Sequence, residues 1–291
     1  MNVLKTTLLM TVMTVLLVWV GDVVAGRQGM WLFLVLAATM NFFAYWFSDK
    51  MVLAMYRAKP VTQAQAPEFY AIVQNLTQRA KIPMPRLYLI PNESPNAFAT
   101  GRSPSHAAVA VTQGILKILN RDELEGVLAH ELGHVKNRDI LTSSIVATIA
   151  GAITMLSRAA MFGSLFGGGR RDDRGGGGNP IAAILVMLLA PLAAMIVQMA
   201  VSRTREFAAD RSGATLSGKP LALASALRKL ERGATAVPMN ANAATVHQFI
   251  VNPLRGGGMA GLFSTHPRTD DRVARLEEIA RDMTARGGVL A

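Results

Sequence analysis

Four long, strongly apolar stretches of this chain contain no Asp, Glu, Lys or Arg: Thr6–Gly21, Gln28–Ser48, Ile140–Ser157 and Gly175–Ser202, the last with its apolar part at 181–201. An α-helix rises 1.5 Å per residue, so about 20 such residues cross a hydrocarbon core of ~30 Å. The second and fourth stretches reach that length unaided. The first is shorter, but Lys5 can snorkel and Trp19 suits an interface. No small-x-small cleavage site follows it, so it reads as an anchor rather than a removed leader. In the third, Ser143, Ala147 and Gly151 recur every four positions, which fits either a closely packed spanning helix or a buried core helix. Four candidate transmembrane helices thus organise the chain, with Pro191 kinking the last.

Composition agrees with a lipid environment. Apolar residues make up 51% and charged residues 17%, where a soluble domain carries about 25% charged. Zero cysteines exclude a disulfide scaffold, an iron–sulfur cluster and a thiol nucleophile. The net charge of +11 would permit nucleic-acid binding. Its basic residues instead flank the apolar stretches, without interleaved aromatics, so the expected partner is the lipid bilayer and no nucleic acid. Lys50, Arg57 and Lys59 follow the second stretch, whereas only Asp22 and Arg27 precede it. This bias puts the N-terminus and the region from Asp49 onward in the cytoplasm of a multi-pass inner-membrane protein. The connector from Arg158 to Asn179 opposes that bias with four Arg and two Asp, but its GGGRRDDRGGGG core reads as a flexible link.

The expected organisation is a transmembrane hairpin at 1–48, a first cytoplasmic half at 49–139, a second membrane hairpin at 140–202 with a Gly-rich link at 167–178, and a second cytoplasmic half at 203–291. Each polar half is marginal as a free-standing domain, so the two should form one body. Within it, Pro67 with Phe69, Ile72, Val73 and Leu76 predicts a helix. Residues 86–90, 96–101 and 107–112 predict a small sheet with hairpin links. Asn120 and Glu123 make a capping-box pattern at the start of a helix through His130 to about Arg138, with nothing to break it before Ala150. Further helices are expected from Pro220, with Gly233 as the stop, and along Val273, Leu276, Ile279 and Met283.

His130-Glu131-Leu132-Gly133-His134 carries the chemistry. A spacing of four puts both imidazoles on one helix face, within reach of a single ion. Such a pair holds Zn2+, which lowers the pKa of bound water toward 7, and Glu131 is placed to take the proton as water attacks a carbonyl. Catalytic zinc needs a third protein ligand, and no histidine follows in the Val135–Ile140 stretch. Glu206 is the best candidate, with Asp210 four residues on to orient a ligating histidine. Spacing alone also allows a solvated charge cluster at a membrane exit. His266 and Arg272 are candidate donors to a developing oxyanion, or simply a loop histidine near a surface arginine. Asn96 to Gly101 is, on spacing alone, a turn into a strand.

The combination of two N-terminal apolar segments, NAFATG at 96–101, LAHELGHVKNRD at 128–139, an apolar pair split by a Gly-rich link, SRTREFAAD at 202–210 and STHPRTDDR at 264–272 resembles the membrane-embedded M48 zinc endopeptidases over essentially the whole chain. The resemblance implies a mainly α membrane protein with an α+β, gluzincin-like zinc-metalloprotease domain and a small sheet beside the HExxH helix. It implies one zinc held by His130, His134 and Glu206, Glu131 as general base and Asp210 behind the ligands. By the same resemblance His266 contacts the transition state, Arg272 orients substrate or a carboxylate, and Asn96, Ala97, Phe98 and Ala99 line the substrate, gripping an extended peptide by its backbone. The implied substrates are misfolded or damaged membrane proteins met at the cytoplasmic face, with other membrane proteases as partners. A dedicated processing peptidase is the alternative enzyme. A scaffold with structural zinc would have no use for Glu131, and four helices with two large polar halves do not suit a channel.

Overall fold

The computed structural model describes residues 2–149, 203–237, 249–251 and 267–287. Helix α1 (Asn2–Met55) is continuous by hydrogen bonding but reverses at Ala25 and Gly26, where Gly26 takes φ 60° and ψ −148°, a region open to glycine. It is therefore a helical hairpin. Asn41 of the second arm donates from Nδ2 to Thr14 Oγ1 of the first at 2.9 Å. A Cβ on Gly21 would lie 2.5 Å from the Gly29 carbonyl oxygen, so the arms touch backbone to backbone near the turn.

The hairpin interior holds Leu9, Met13, Leu17 and Ala37, together with Ile145, Val146 and Ile149 of α5 (Ile140–Ile149). Outward, Trp19, Trp31, Leu32, Val35 and Phe42 are exposed, the inverse of a soluble surface. Among the described residues, one helix is long and apolar enough to cross a membrane, Ala25–Met55; Thr6–Asp22 and Ile140–Ile149 are shorter apolar helices. The end of the third stretch and all of the fourth lie outside the described residues.

The polar body begins with β1 (Lys59–Pro60), α2 (Pro67–Ala80), β2 (Arg86–Ile90), β3 (Ala97–Gly101), a 3-10 turn (Pro104–His106), β4 (Ala107–Thr112), α3 (Gln113–Ile118) and α4 (Arg121–Lys136). It resumes with α6 (Arg203–Ser217), α7 (Pro220–Ala236) and α8 (Thr269–Gly287). The sheet runs β1-β2-β4-β3. Its pairing differs from a chain of hairpins: β2 lies parallel to β4, Leu87 opposite Val109, and only β3–β4 is an antiparallel hairpin, Ala99 opposite Val109. That arrangement puts β3 at the edge, against α4.

Helix α4 is the spine of this body, packed by α2, α6, α7 and β3. Its start follows the sequence signal: the Glu123 N–H donates to Asn120 Oδ1 and the Asn120 N–H to Glu123 Oε2, both 2.9 Å, a cap worth ~1 kcal/mol. Lys229 and Ser225 of α7 then bind the same Glu123 carboxylate at 2.7 and 2.8 Å. Glycines let the helices approach closely. A Cβ on Gly213 of α6 would sit 2.8 Å from the His130 nitrogen, and one on Gly126 3.1 Å from Leu223 of α7.

Two boundaries correct the sequence reading. The α4 helix ends at Lys136 instead of running into α5, because Arg138 adopts φ 59° and Asp139 turns back, its N–H bonding the His134 carbonyl at 3.0 Å. Gly233 does not stop α7, which continues to Ala236; a Cβ there would meet Pro95 Cγ at 2.5 Å, so this glycine makes room for a neighbour.

Candidate metal centre

The i, i+4 spacing sets His130 and His134 on the face of α4 that looks toward α6, and Glu206 lies in the first turn of α6. The two Nε2 atoms are 3.2 Å apart. Glu206 Oε2 is 3.8 Å from His130 Nε2, and Glu206 Oε1 is 3.5 Å from His134 Nε2. One donor atom from each of the three residues fits within a mutual spread of 4.8 Å. Ligands ~2.0–2.1 Å from a tetrahedral ion are separated by roughly 3.3–3.4 Å, so this set fits zinc in type and spacing.

Each imidazole is held from behind by a carboxylate. His130 Nδ1 is 2.9 Å from Asp210 Oδ1, and His134 Nδ1 is 3.4 Å from Asp139 Oδ2. A proton on each Nδ1 leaves the Nε2 lone pairs facing the common point. The Asp139 contact was not anticipated. Its signal was the fifth position after the second histidine, inside the motif already noted, but only the turn at Arg138 brings it back.

Arg272 is 1% exposed and grips Asp210 through two hydrogen bonds, Nε to Oδ2 at 2.8 Å and Nη2 to Oδ1 at 2.6 Å. Its Nη1 donates to the Ile250 carbonyl at 2.9 Å and lies 3.9 Å from Glu206 Oε2. Of the roles weighed for it, orienting a carboxylate matches this placement. His266 lies outside the described residues.

The electrostatics favour a dication. The carboxyl groups of Glu131, Asp139, Glu206 and Asp210 lie among the Arg205 and Arg272 guanidiniums and the two imidazoles, a set from whose proton-binding groups a dication would displace protons. Burial raises the Glu131 carboxyl to about 8, opposed by His134. Burial disfavours a charged His134, but Asp139, Glu206 and Glu131 outweigh it and raise the imidazole to about 9. Burial lowers His130 against the pull of Asp210, and Arg272 holds Asp210 down to about 2 despite burial.

Strand β3 lies directly beside Glu131, whose carboxylate accepts the Ala99 N–H. Along the same edge the Ala97 carbonyl accepts the Ile250 N–H at 3.2 Å. Farther along, the Gly101 N–H donates to Ser144 Oγ at 3.3 Å. Asn96 is fully buried and donates from Nδ2 to the Val251 carbonyl at 3.0 Å. Phe98 packs edge-on against Phe249, with ring centroids 5.4 Å apart.

A histidine pair on a buried helix, a glutamate from a second helix and a carboxylate beside them define a metallopeptidase site. The Peptidase family M48 profile matches residues 63–280, and the chain belongs to that family. A "Protease HtpX homolog" of Thermodesulfovibrio yellowstonii is 57% identical over 281 residues, spanning 97% of this chain and 99% of the relative. One of Ralstonia pickettii is 57% identical over 283 residues, spanning 96% and 97%. Among solved structures, "Crystal Structure of S. mikatae Ste24p" aligns with a TM-score of 0.50 at 21% identity, over 84% of this chain and 58% of that one, a likeness of fold. The protein is thus a metalloprotease with one candidate membrane helix among the described residues.

Proposed function

We propose that the protein is a zinc-dependent endopeptidase that cuts misfolded or damaged membrane proteins at the cytoplasmic face of the inner membrane. The observation that carries this reading is the convergence of His130, His134 and Glu206 donor atoms within 4.8 Å, with Glu131 beside them. These three residues would hold the ion, which polarises the substrate carbonyl and acidifies water when bound. Glu131 takes the proton from the attacking water and passes it to the departing amine. Asp210 and Asp139 fix the ring orientations, and Arg272 positions Asp210. His266 is assigned to the oxyanion by its place in the STHPRTDDR motif.

Ala97, Phe98 and Ala99, next to Glu131, are assigned as the substrate strand, and an extended peptide read there would displace the bonds that Ile250 and Glu131 make along this edge. Recognition through backbone hydrogen bonds tolerates varied sequences, as quality control requires. The exposed apolar hairpin at 1–48, with 140–157 and 181–201 as a second pair of spans, keeps the site near the bilayer surface where such substrates emerge. The test uses the purified full chain in detergent with an unfolded membrane protein as substrate. Wild type should carry one zinc and cleave, and Glu131→Gln should keep the metal and lose cleavage. Normal cleavage by that variant overturns the assignment of the base.

A further inference from the structure

Away from the metal centre, the second arm of α1 leaves the apolar zone through a cluster of rings, with Phe42, Phe43, Tyr45 and Trp46 all exposed. Such a cluster marks the headgroup level of a spanning helix. One turn further on, Asp49 and Lys50 begin the polar region. The turn between β3 and β4 folds back to this level, although it is more than fifty residues away in sequence. Arg102 lays its guanidinium over the Trp46 ring at 4.9 Å from the centroid. Lys50 Nζ lies 5.4 Å from the Phe47 ring centre. Between the two elements is a cleft of about 700 Å3 whose walls include Phe42, Trp46, Lys50, Arg86, Arg102 and His106.

The charges in this cleft are not balanced. Arg86 is paired with Asp49, but neither Lys50 nor Arg102 has a carboxylate within ion-pair distance among the described residues. Polar groups also line it: Ser105 Oγ lies 3.1 Å from His106 Nδ1, and Ser103 Oγ, behind them on the turn, 2.9 Å from the same nitrogen. Two unmatched cations, hydroxyls and a wall of indole and phenyl rings match a phosphodiester joined to a glycerol and acyl chains. We propose that this cleft is a binding site for the headgroup of an acidic phospholipid, with Lys50 and Arg102 on the phosphate and Trp46 and Phe42 against the lipid's apolar part. Ordinary snorkelling would explain Lys50. It does not explain Arg102, which reaches the same ring from a separate element and ties the β3–β4 turn to the membrane surface.

The experiment is native mass spectrometry of the full chain in nonionic detergent, titrated separately with phosphatidylglycerol, with phosphatidylcholine of the same acyl chains, and with inorganic phosphate. Saturable retention of phosphatidylglycerol at lower concentration than phosphatidylcholine is expected. Lys50→Gln and Arg102→Gln should each weaken it about fivefold, the equivalent of ~1 kcal/mol per surface cation. Trp46→Leu should weaken lipid retention while leaving both cations in place. Lys117→Gln, which removes an exposed cation of α3 that is paired with Glu93, should change nothing. Lys50 is exposed, so its variant decides the matter even if Arg102→Gln misfolds. Equal retention of the two lipids, or undiminished binding by Lys50→Gln, overturns the proposal. Inorganic phosphate binding as tightly as the lipid overturns it too, since a soluble anion would then be the ligand.

Discussion

A Cβ on Gly213 would stand 2.8 Å from the backbone nitrogen of His130 and 2.9 Å from its Cα. The distance between the helix that carries the histidines and the helix that carries Glu206 is therefore set by a hydrogen atom. In an unconstrained helix, Gly→Ala stabilises by up to ~1 kcal/mol. Here Gly213→Ala should do the reverse, destabilising by ~1–3 kcal/mol through overpacking and prising Glu206 away from His130. Thermal unfolding and zinc content of the purified variant check this; a stabilised, fully loaded Gly213→Ala protein would contradict the close crossing.

The two carboxylates behind the histidines are expected to fail in different ways. Asp210→Asn leaves the buried Arg272 guanidinium with only the longer 3.9 Å approach to Glu206, a loss of up to ~3–5 kcal/mol. Asp139→Asn should leave the fold nearly as stable but weaken zinc binding about 10–100-fold, the usual cost of losing an outer hydrogen bond to a ligand. Urea titrations separate the first effect, and chelator competition the second.

Metal removal should create a pH dependence opposite to ordinary acid denaturation. His134 has its folded value raised from 6.5 to about 9, so its contribution is full below about 6.5 and lost as pH rises through about 9. Glu131, raised from 4.5 to about 8, is buried as the neutral acid and adds a loss of the same sign that begins near pH 4.5 and is complete as pH passes about 8. The thermal midpoint of the metal-free protein should therefore fall between pH 6 and 9 on these shifts. Zinc uptake at neutral pH should release a proton, measured by calorimetry in buffers of different ionisation enthalpy.

Asn96→Ala separates two roles for one side chain. Its bond to the Val251 carbonyl is buried, so truncation should cost ~1–3 kcal/mol of stability with zinc content unchanged. If the amide instead contacts substrate, KM will rise while urea unfolding stays where it was.

The parts of the site that sequence made legible were those governed by local periodicity. His130 and His134 share a face because four residues make about one turn, and the Asn120–Glu123 cap forms within a single turn. That Glu206 and Asp210 share a helix face is readable in the same way, but spacing alone left a solvated charge cluster open, and the ligand role came from the family resemblance. What stayed hidden depends on tertiary placement or on conformations without a residue signature. Arg138 takes a left-handed φ with no glycine or proline to announce it, so the end of α4 and the role of Asp139 were both missed. The parallel pairing of β2 with β4 skips the intervening strand, and no local pattern encodes that choice. Gly233 and Gly213 were chosen for what lies across from them, which the linear text does not record.

The donors of the metal centre come from both sides of the 150–202 segment, and the arginine that anchors Asp210 comes later still, on α8. During synthesis, a ribosome that has not passed codon 206 carries two imidazoles and a base but no third ligand, and until Arg272 emerges the brace behind His130 is missing. On the proposed zinc site, the nascent polypeptide would therefore lack hydrolytic power until the chain has been made past residue 206 and α8 has docked.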